Sequence, residues 1–327
     1  MRRRTAAAGV SDPARSGPTP TVRPVRIVFL GTPVDAVPPL RALVEAGHDV
    51  ALVVTQPDRR RGRGTASVPS PVKAAALDLG LPVRTPERAG EVLEEVADSG
   101  AVLGVVVAFG QLLRQSLLDA LPHGFVNVHF SLLPRWRGAA PVERAVLAGD
   151  AETGVCVMRI DAGLDTGPVY GCEATPIGPD ETAGELRVRL VTLGTRLLVD
   201  TVPQVPQLEP VEQVGEAVYA EKLSVEEFRL DPACSAAALQ RVVRAGNPRP
   251  GAWGVVAGHR VKVLRAHTGS PADSSGAPAP GTIDRHGRLA TADGVLVLDE
   301  VQPEGRRAMP ADAWLRGLHG DSWALGA

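Results

Sequence analysis

The hydrophobic pattern of residues 25–130 alternates between continuous apolar runs and segments with helical spacing. The apolar runs VRIVFLG, DVALVVT, AVLGVVVAFG and FVNVHF predict strands, and LPVRT predicts a shorter one. Between them, PPLRALVEAGH, PVKAAALDLG and GEVLEEVADSG predict helices. Because strands that are buried on both faces are apolar throughout, this alternation predicts an α/β domain with a mostly parallel sheet covered by helices.

The pattern changes near residue 200. The stretch TVPQVPQLEPVEQVGE is rich in proline and lacks helical periodicity, so it predicts a linker. After it, VEEFRLDPACSAAALQRVVRA predicts a helix, and the short runs AWGVVAG, RVKVLRA, GRLATADG and GVLVLDEVQ predict the strands of a small β-barrel. We therefore expect a first domain over residues 25–203, a linker over 204–218 and a second domain over 219–327.

Residues 1–24 contain almost no large apolar side chain and are rich in Arg, Pro, Ser and Thr. Such a segment cannot bury a core, so we expect a disordered tail. An organellar transit peptide and a start codon assigned too early are the alternatives.

The cysteines and the apolar runs bear on the cellular compartment. Cys156, Cys172 and Cys234 lack the two-residue spacing of a structural zinc site or redox pair, and we expect no disulfide framework. The most apolar stretch, residues 101–109, is far shorter than the roughly 20 residues that a membrane-spanning helix needs. These features predict a reducing, soluble compartment, the cytoplasm.

The total charge does not indicate a partner, because the chain has 35 basic and 37 acidic residues and a net charge of −2. Two segments depart from this balance. The loop QPDRRRGRGTASVP is rich in arginine, and residues 234–272 carry six basic residues and no acidic one. Both are suited to a phosphate-rich partner, although a solvated charged surface is the alternative for each.

Two polar clusters could carry chemistry. Asn127 and His129 are two apart on a predicted strand, so their side chains point to the same side. An amide can stabilise an oxyanion and an imidazole can transfer protons. Asp161 and Asp165 lie in the glycine-broken loop RIDAGLDTGPVYG. Satisfying loop backbone is the alternative for the first cluster, and forming a turn is the alternative for each Asp.

Nucleotide chemistry has no support in the motifs. The first βα turn, GTPVDA, lacks the spaced glycines of a dinucleotide site, and no phosphate-binding Gly-Lys-Ser/Thr loop occurs.

The order of several motifs resembles the folate-dependent formyltransferases. NVHFSLLPRWRGAAPVERAVLAGDAETGV is followed by MRIDAGLDTGPV, and FLGTP, TQPDRRRGRG, PSPVK and VVVAFGQLL precede them. YAEKLS, AGNPRPGAW and EVQPEGRRAMPADAWLRG extend the resemblance to about residue 318. It implies a Rossmann-like catalytic domain followed by an OB-like β-barrel. It also implies transfer of the formyl group of 10-formyltetrahydrofolate, the co-substrate, to the α-amine of methionyl initiator tRNA, with no metal and by a monomer.

The resemblance also implies roles for individual residues. The catalytic residues are Asn127, His129 and Asp165. The folate-binding residues are Phe109, Gln111, Leu112, Leu113, Ser131, Leu132, Leu133, Pro134 and Asp161. The tRNA-binding residues are Arg59, Arg60, Arg61, Arg63, Arg249, Arg260, Lys262, Arg306 and Arg307.

Two other functions remain open at the level of sequence. A related formyltransferase could act on a small amine, such as a glycinamide ribonucleotide or an amino sugar, but it would need neither the arginine loop nor a basic second domain. A non-catalytic RNA-binding or folate-binding protein could keep the fold, but it would not need Asn127, His129 and Asp165 together.

Overall fold

The computed structural model describes residues 23–60, 67–270 and 278–326, so nearly all of the tail expected over residues 1–24 lies outside the described residues. The strands of the first domain are β1 (Arg26–Gly31), β2 (Asp49–Val54), β3 (Arg59–Arg60), β4 (Ser67–Val68), β5 (Val83–Arg84), β6 (Leu103–Val107), β7 (Phe125–His129), β8 (Arg137–Gly138), β9 (Glu152–Arg159) and β10 (Val169–Pro176). Its helices are α1 (Val37–Glu45), α2 (Pro71–Asp78), α3 (Leu93–Asp98), α4 (Gln115–Leu118), α5 (Pro141–Ala148) and α6 (Ala183–Thr201).

A seven-stranded sheet in the order β10-β9-β7-β6-β1-β2-β5 forms the centre of this domain. The strands from β7 to β5 are parallel, and β9 and β10 form an antiparallel edge. Ile27 and Phe29 pack into one hydrophobic cluster, while Val28 and Leu30 pack into another. Because successive strand residues point to opposite faces, both faces of the sheet are covered. The predicted mostly parallel α/β domain is confirmed.

The antiparallel edge carries a feature that the cysteine spacing did not indicate. Cys156 on β9 and Cys172 on β10 are directly opposite in register and form a disulfide. The expectation of no disulfide framework therefore missed this single bridge. Sequence separation gives no register, and register is what places these two cysteines side by side.

The second domain contains a closed barrel. Its elements are β11 (Tyr219–Ala220), α7 (Ala236–Gly246), β12 (Ala252–Val256), β13 (His259–Gly269), β14 (Thr282–Asp284), β15 (Arg288–Ala290), β16 (Val295–Pro303), β17 (Met309–Pro310), α8 (Ala311–Leu315) and β18 (Ser322–Gly326). Six strands pair in the cyclic order β13-β12-β18-β14-β15-β16, and β16 pairs back with β13. The predicted small barrel is confirmed. The predicted helix is shorter than expected, because it begins only after Ser235, whose side chain caps its N-terminus.

Helix α7 also joins the two domains. It packs against α5, and the Arg244 guanidinium donates to the carbonyl oxygens of Pro179 and Glu181. Arg265 on β13 forms an ion pair of 2.5 Å with Glu185 at the start of α6. The Glu185 side chain also accepts from the backbone N–H of Thr182 in a capping box. These bonds lower the pKa of Glu185 to about 2, the largest effect coming from the Thr182 backbone.

The segment expected to be a linker contacts the first domain at several points. Val211 exchanges two backbone hydrogen bonds with Val169, and β11 pairs in parallel with β8. Of the helices in the described ranges, none has the length and apolar composition for crossing a bilayer.

Candidate functional site

His129 is the last residue of β7, and both of its ring nitrogens face oxygen atoms. Its side chain is 5% exposed. Nε2 lies 2.9 Å from the carbonyl oxygen of Trp136, and Nδ1 lies 3.5 Å from Oδ2 of Asp165. A carbonyl and a carboxylate only accept hydrogen bonds, so each ring nitrogen faces an oxygen to which an N–H can donate.

Asp165 is held by the backbone of β8. Its Oδ2 accepts from the N–H of Gly138 at 2.8 Å, and its own backbone has a left-handed φ of 52°. Gly138 has a φ of 117°, and a Cβ there would lie 2.8 Å from the carbonyl oxygen of Ala220. Because only glycine tolerates that conformation and that approach, the donor to Asp165 depends on glycine at this position.

Trp136 presents its carbonyl to His129 from a constrained position. Its backbone is left-handed, with a φ of 63°. Its indole N–H donates to Asp150 at 2.7 Å, and the Arg135 guanidinium lies 4.5 Å from the ring centre. Arg135 also binds Asp150 through two hydrogen bonds. The residues of the PRWRG motif therefore hold the Trp136 carbonyl against the imidazole.

Asn127 lies on the same face of β7 as His129, between Val106 on β6 and Met158 on β9. Its side chain is half-buried and makes no hydrogen bond to any of the residues that the structure describes. The amide is therefore free to donate to a bound molecule. The structure brings His129 and Asp165 together and places Asn127 two residues before His129 on the same face of β7.

The loop after β6 is held by side chains from two other strand ends. The carbonyl oxygen of Phe109 accepts from the Thr32 hydroxyl at 2.9 Å and from the Gln56 amide at 2.8 Å. The Phe109 ring is buried, and so is Leu113, whereas Leu112 is 82% exposed. Of the nearby polar atoms, Oε1 of Gln111 is buried and has no partner among the described residues.

The SLLP segment after β7 mainly shapes the turn. Ser131 is buried and its hydroxyl donates to the Arg135 carbonyl at 2.6 Å. Leu132 packs beside Gly154 on β9, and the Leu133–Pro134 peptide is cis. Through these contacts Ser131 and Leu132 shape the turn that follows β7.

Asp161 stabilises its own loop, because one carboxylate oxygen accepts from Gly163 N–H at 3.0 Å and from the Thr166 hydroxyl at 2.6 Å. It also lines a cleft of about 640 Å³ together with residues from the segments 115–124 and 205–210, on the side where β7 begins. The turn-forming alternative therefore describes Asp161 in this structure.

A salt bridge and a hydroxyl pair anchor the base of the arginine loop. Lys73 pairs with Asp58 at 2.7 Å, and the hydroxyls of Thr55 and Ser70 lie 2.7 Å apart. Strands β3 and β4 pair as a short hairpin above this base, and β3 contains Arg59 and Arg60. Arg61 and Arg63 lie outside the described residues.

The basic residues of the second domain separate into two groups. Arg241, Arg244 and Arg265 bind atoms of the first domain, so residues 234–272 do not form a single basic surface. The predicted tRNA-binding residues of this domain lie elsewhere, near one another around Lys262, whose ammonium donates to the Pro250 carbonyl at 2.8 Å.

Four arginines lie on the strand that contains Lys262 or on segments that contact that strand. Arg249 is adjacent to Pro250, and Arg260 is two residues along the same strand with its guanidinium 4.0 Å from the Trp253 ring centre. Gln302, which is opposite Lys262 on β16, donates to the Arg306 carbonyl. Arg307 follows directly and is exposed. We call Arg249, Arg260, Lys262, Arg306 and Arg307 the barrel basic surface.

Several residues that shape the site were not among the sequence candidates. Thr32 and Gln56 hold the loop after β6, Trp136 contacts His129, Gly138 holds Asp165, and Gln213 hydrogen-bonds to the Asp165 loop. The FLGTP, TQPD and PRWRG motifs contain the first four, so their polar residues and glycine were a usable signal. Gln213 lies in a proline-rich stretch with no such signal.

A half-buried charge cluster lies beside the turn that follows β1. Arg187 on α6 pairs with Glu143 at 2.5 Å and lies 3.7 Å from Asp35. Burial raises the pKa of Asp35, while Arg187 opposes that shift. Within the described ranges, no group of three or more His, Cys, Asp or Glu side chains is arranged to hold a metal ion.

Comparisons with known proteins cover nearly all of this chain. The family model described as formyl transferase matches residues 25–202, and the model described as formyl transferase, C-terminal domain, matches residues 222–319. The methionyl-tRNA formyltransferase of Thermus thermophilus is 49% identical over 299 residues, 90% of this chain and 96% of the relative. That of Roseobacter denitrificans is 46% identical over 297 residues, again 90% of this chain and 96% of the relative.

Solved structures share the fold at low sequence identity. HypX from Aquifex aeolicus in complex with tetrahydrofolic acid has a TM-score of 0.62 and 17% identity, covering 90% of this chain but only 47% of HypX. The sugar 3N-formyl transferase WlaRD has a TM-score of 0.59 and 16% identity, covering 87% of this chain and 100% of its own.

Proposed function

Because this chain belongs to the formyl transferase family in both of its domains, we propose that it transfers the formyl group of 10-formyltetrahydrofolate to the α-amine of methionyl initiator tRNA. The product, formylmethionyl-tRNA, serves translation initiation. The observation that carries the proposal is the His129–Asp165 pair beside the free amide of Asn127, in a chain 49% identical to a methionyl-tRNA formyltransferase.

The three polar residues have complementary roles in this reaction. Attack of an amine on a formyl carbon places negative charge on the formyl oxygen, which donors held in advance can stabilise. We assign those donors to the Asn127 amide and the protonated His129. Asp165 stabilises the charge of the imidazolium and helps pass the proton from the attacking amine to the leaving folate nitrogen.

The loop after β6 and the Asp161–Asp165 segment are our proposed folate site. The fit is supported by Oε1 of Gln111, which is buried, has no partner in the part of the chain that the structure describes and can accept from a pterin N–H, and by apolar side chains beside it. The residues that would hold the folate are Phe109, Gln111, Leu112, Leu113, Leu133, Pro134 and Asp161, while Ser131 and Leu132 would shape the wall. The bound co-substrate supplies the formyl carbon.

For the tRNA we propose the arginine loop and the barrel basic surface. Phosphate contacts from arginine and lysine position a nucleic acid without reading its sequence. Arg63 is our choice for the main contact of the loop, so Arg63→Ala should weaken tRNA use more than folate use. We further propose that the protein acts as a cytoplasmic monomer, with a catalytic domain over residues 25–203, a linker over 204–218 and a tRNA-binding domain over 219–327.

A competition assay tests this function. Purified protein receives 10-formyltetrahydrofolate together with methionyl initiator tRNA and glycinamide ribonucleotide, and both products are quantified. We expect formylmethionyl-tRNA as the main product. Formylation of glycinamide ribonucleotide alone would refute the proposed acceptor, and the absence of both products would refute the proposed reaction.

A further inference from the structure

Gln213 lies in the segment between the two domains and uses the full hydrogen-bonding capacity of its side-chain amide. Its Oε1 accepts from Nε and NH2 of Arg137 at 3.0 and 2.7 Å. Its Nε2 donates to the carbonyl oxygens of Asp165 and Gly167 at 2.9 and 2.8 Å. An amide has two acceptor sites and two N–H donors, so all four are occupied.

These four bonds join the two segments that surround His129. Arg137 is adjacent to Trp136, whose carbonyl binds Nε2 of the imidazole, and Asp165 faces Nδ1. The bond from Gly138 N–H to the Asp165 carboxylate is a second link between the same segments. Gln213 therefore connects the two sides of the imidazole from outside, without touching it.

The chemistry of the four partners requires an amide at this position. A guanidinium only donates and a carbonyl only accepts, so the joining side chain must offer acceptors in one direction and donors in the other. A carboxylate would accept from Arg137, but it has no N–H to donate to the carbonyl oxygens of Asp165 and Gly167. An aliphatic side chain would satisfy neither and would leave polar groups without partners.

We propose that Gln213 is a positioning residue for the formyl transfer, setting the place of the Asp165 carboxylate relative to His129. The inference rests on the proposed function for its kinetic test. Gln213 acts through the Asp165 backbone, whose left-handed φ of 52° needs support from its surroundings. The neighbouring backbone pair of Val211 with Val169 anchors the segment independently of the Gln213 side chain.

Two substitutions separate positioning from simple anchoring of the segment. Gln213→Met keeps the length of the side chain and removes all four bonds. Gln213→Glu keeps the contact with Arg137, and with it the attachment of the segment, but loses both donations to the Asp165 loop. Gln207→Met is the matched control, because Gln207 lies in the same segment, is exposed and makes no side-chain hydrogen bond within the described residues.

We expect both Gln213 variants to lower kcat about 10- to 100-fold, with KM for methionyl-tRNA little changed, since misplacement of a catalytic group acts mainly on the reacting complex. Loosening Asp165 weakens support for the imidazolium, so in Gln213→Met, which adds no charge, the alkaline limb of the pH–rate profile should move to lower pH. Gln207→Met should match the wild type in both measurements. An unchanged kcat and profile in the Gln213 variants, or a loss confined to KM, would overturn the inference.

A spectroscopic titration tests the inference without any formyl-accepting substrate. The imidazole signals of histidine-labelled protein are followed by NMR, with His129 assigned from its absence in His129→Gln. The midpoint for His129 should fall in Gln213→Met, which adds no charge, but not in Gln207→Met. If the wild type formylates no methionyl-tRNA, the proposed function fails, and an unchanged His129 titration is what would then overturn the role of Gln213.

Discussion

Oδ2 of Asp165 lies 3.5 Å from Nδ1 of His129 and at the same time accepts the backbone N–H of Gly138 at 2.8 Å. The carboxylate is therefore placed by the backbone of β8, and its charge is directed at the imidazole. The Gly138 hydrogen bond sets the position of this side chain, and ionisation gives it its charge. A substitution can therefore remove the charge and keep the hydrogen bond.

Asp165→Asn tests the charge alone. The Asn oxygen can still accept from Gly138, so the fold should persist, while loss of the negative charge should lower kcat about 10²- to 10⁴-fold. The measurements are steady-state kcat and the midpoint of urea unfolding. His129→Ala should be similarly inactive and folded.

Asp299→Asn is the matched control, because Asp299 pairs with His267 at 2.9 Å on the barrel, far along the sequence from the proposed catalytic residues. Its kcat should equal that of the wild type. Full activity in Asp165→Asn or His129→Ala would contradict the assigned mechanism.

Replacing Arg306 and Arg307 together with Ala tests the barrel basic surface. Each phosphate contact contributes about one unit to the slope of log affinity against log salt concentration, so the double variant should reduce that slope by about two. KM for methionyl-tRNA should rise and KM for the folate should not. The measurements are both KM values across a salt series.

Arg285→Ala serves as the control, since Arg285 is an exposed arginine on the turn between β14 and β15. It should leave the salt slope unchanged. A reduction of the slope by about one in Arg285→Ala, the same per charge removed as in the double variant, would mean that tRNA responds only to the total charge.

The domain interface should respond to acid through Glu185. Its pKa in the folded protein is about 2, below the ordinary value of 4.5, so its contribution to stability is complete above pH 4.5 and is lost as the pH falls toward 2. The side chain is 48% exposed, so we expect less than about 1 kcal/mol. The measurement is the free energy of unfolding in urea as a function of pH.

Glu185→Gln should remove this acid-dependent part, whereas Glu94→Gln on α3, another exposed glutamate, should retain it. Thr182→Ala should cost about 1 kcal/mol at neutral pH, because the helix N-cap is lost. An identical pH dependence in Glu185→Gln and the wild type would contradict this account.

The disulfide between β9 and β10 should contribute to stability in the oxidised protein. Closing a loop of this length is worth about 3 kcal/mol in the chain-entropy model. A reducing agent should therefore lower the melting temperature of the wild type but not that of Cys172→Ser, in which no bridge can form.

Cys234→Ser controls for the loss of a thiol, since Cys234 is exposed and free. It should respond to the reducing agent as the wild type does. A melting temperature of the wild type that is insensitive to the reducing agent would show that the bridge adds nothing to stability.

The strands of the first domain and the β-barrel could be read from local patterns. Continuous apolar runs identified β1, β2, β6 and β7, and short runs between glycines identified β12, β13, β15 and β16. Helix α6, the longest of the described helices, was not predicted, although Thr182 and Glu185 have the spacing of a capping box at its start.

Part of the candidate site could also be predicted from a local sequence pattern. Two-residue periodicity is a local property, so it placed Asn127 and His129 on one face of β7 without any knowledge of the fold. The resemblance to a known family added Asp165, which no local pattern links to His129.

Contacts between distant segments depend on register, on loop path and on packing, and none of these is a local property of the chain. The pairing of Cys156 with Cys172, the division of the basic residues between the domain interface and the barrel basic surface, and the bonds of Gln213 all arise in this way. The chemical groups and the strands that carry them follow from residue order. Which groups face one another follows from the folded backbone, because hydrogen bonds act over about 3 Å, whatever the separation in sequence.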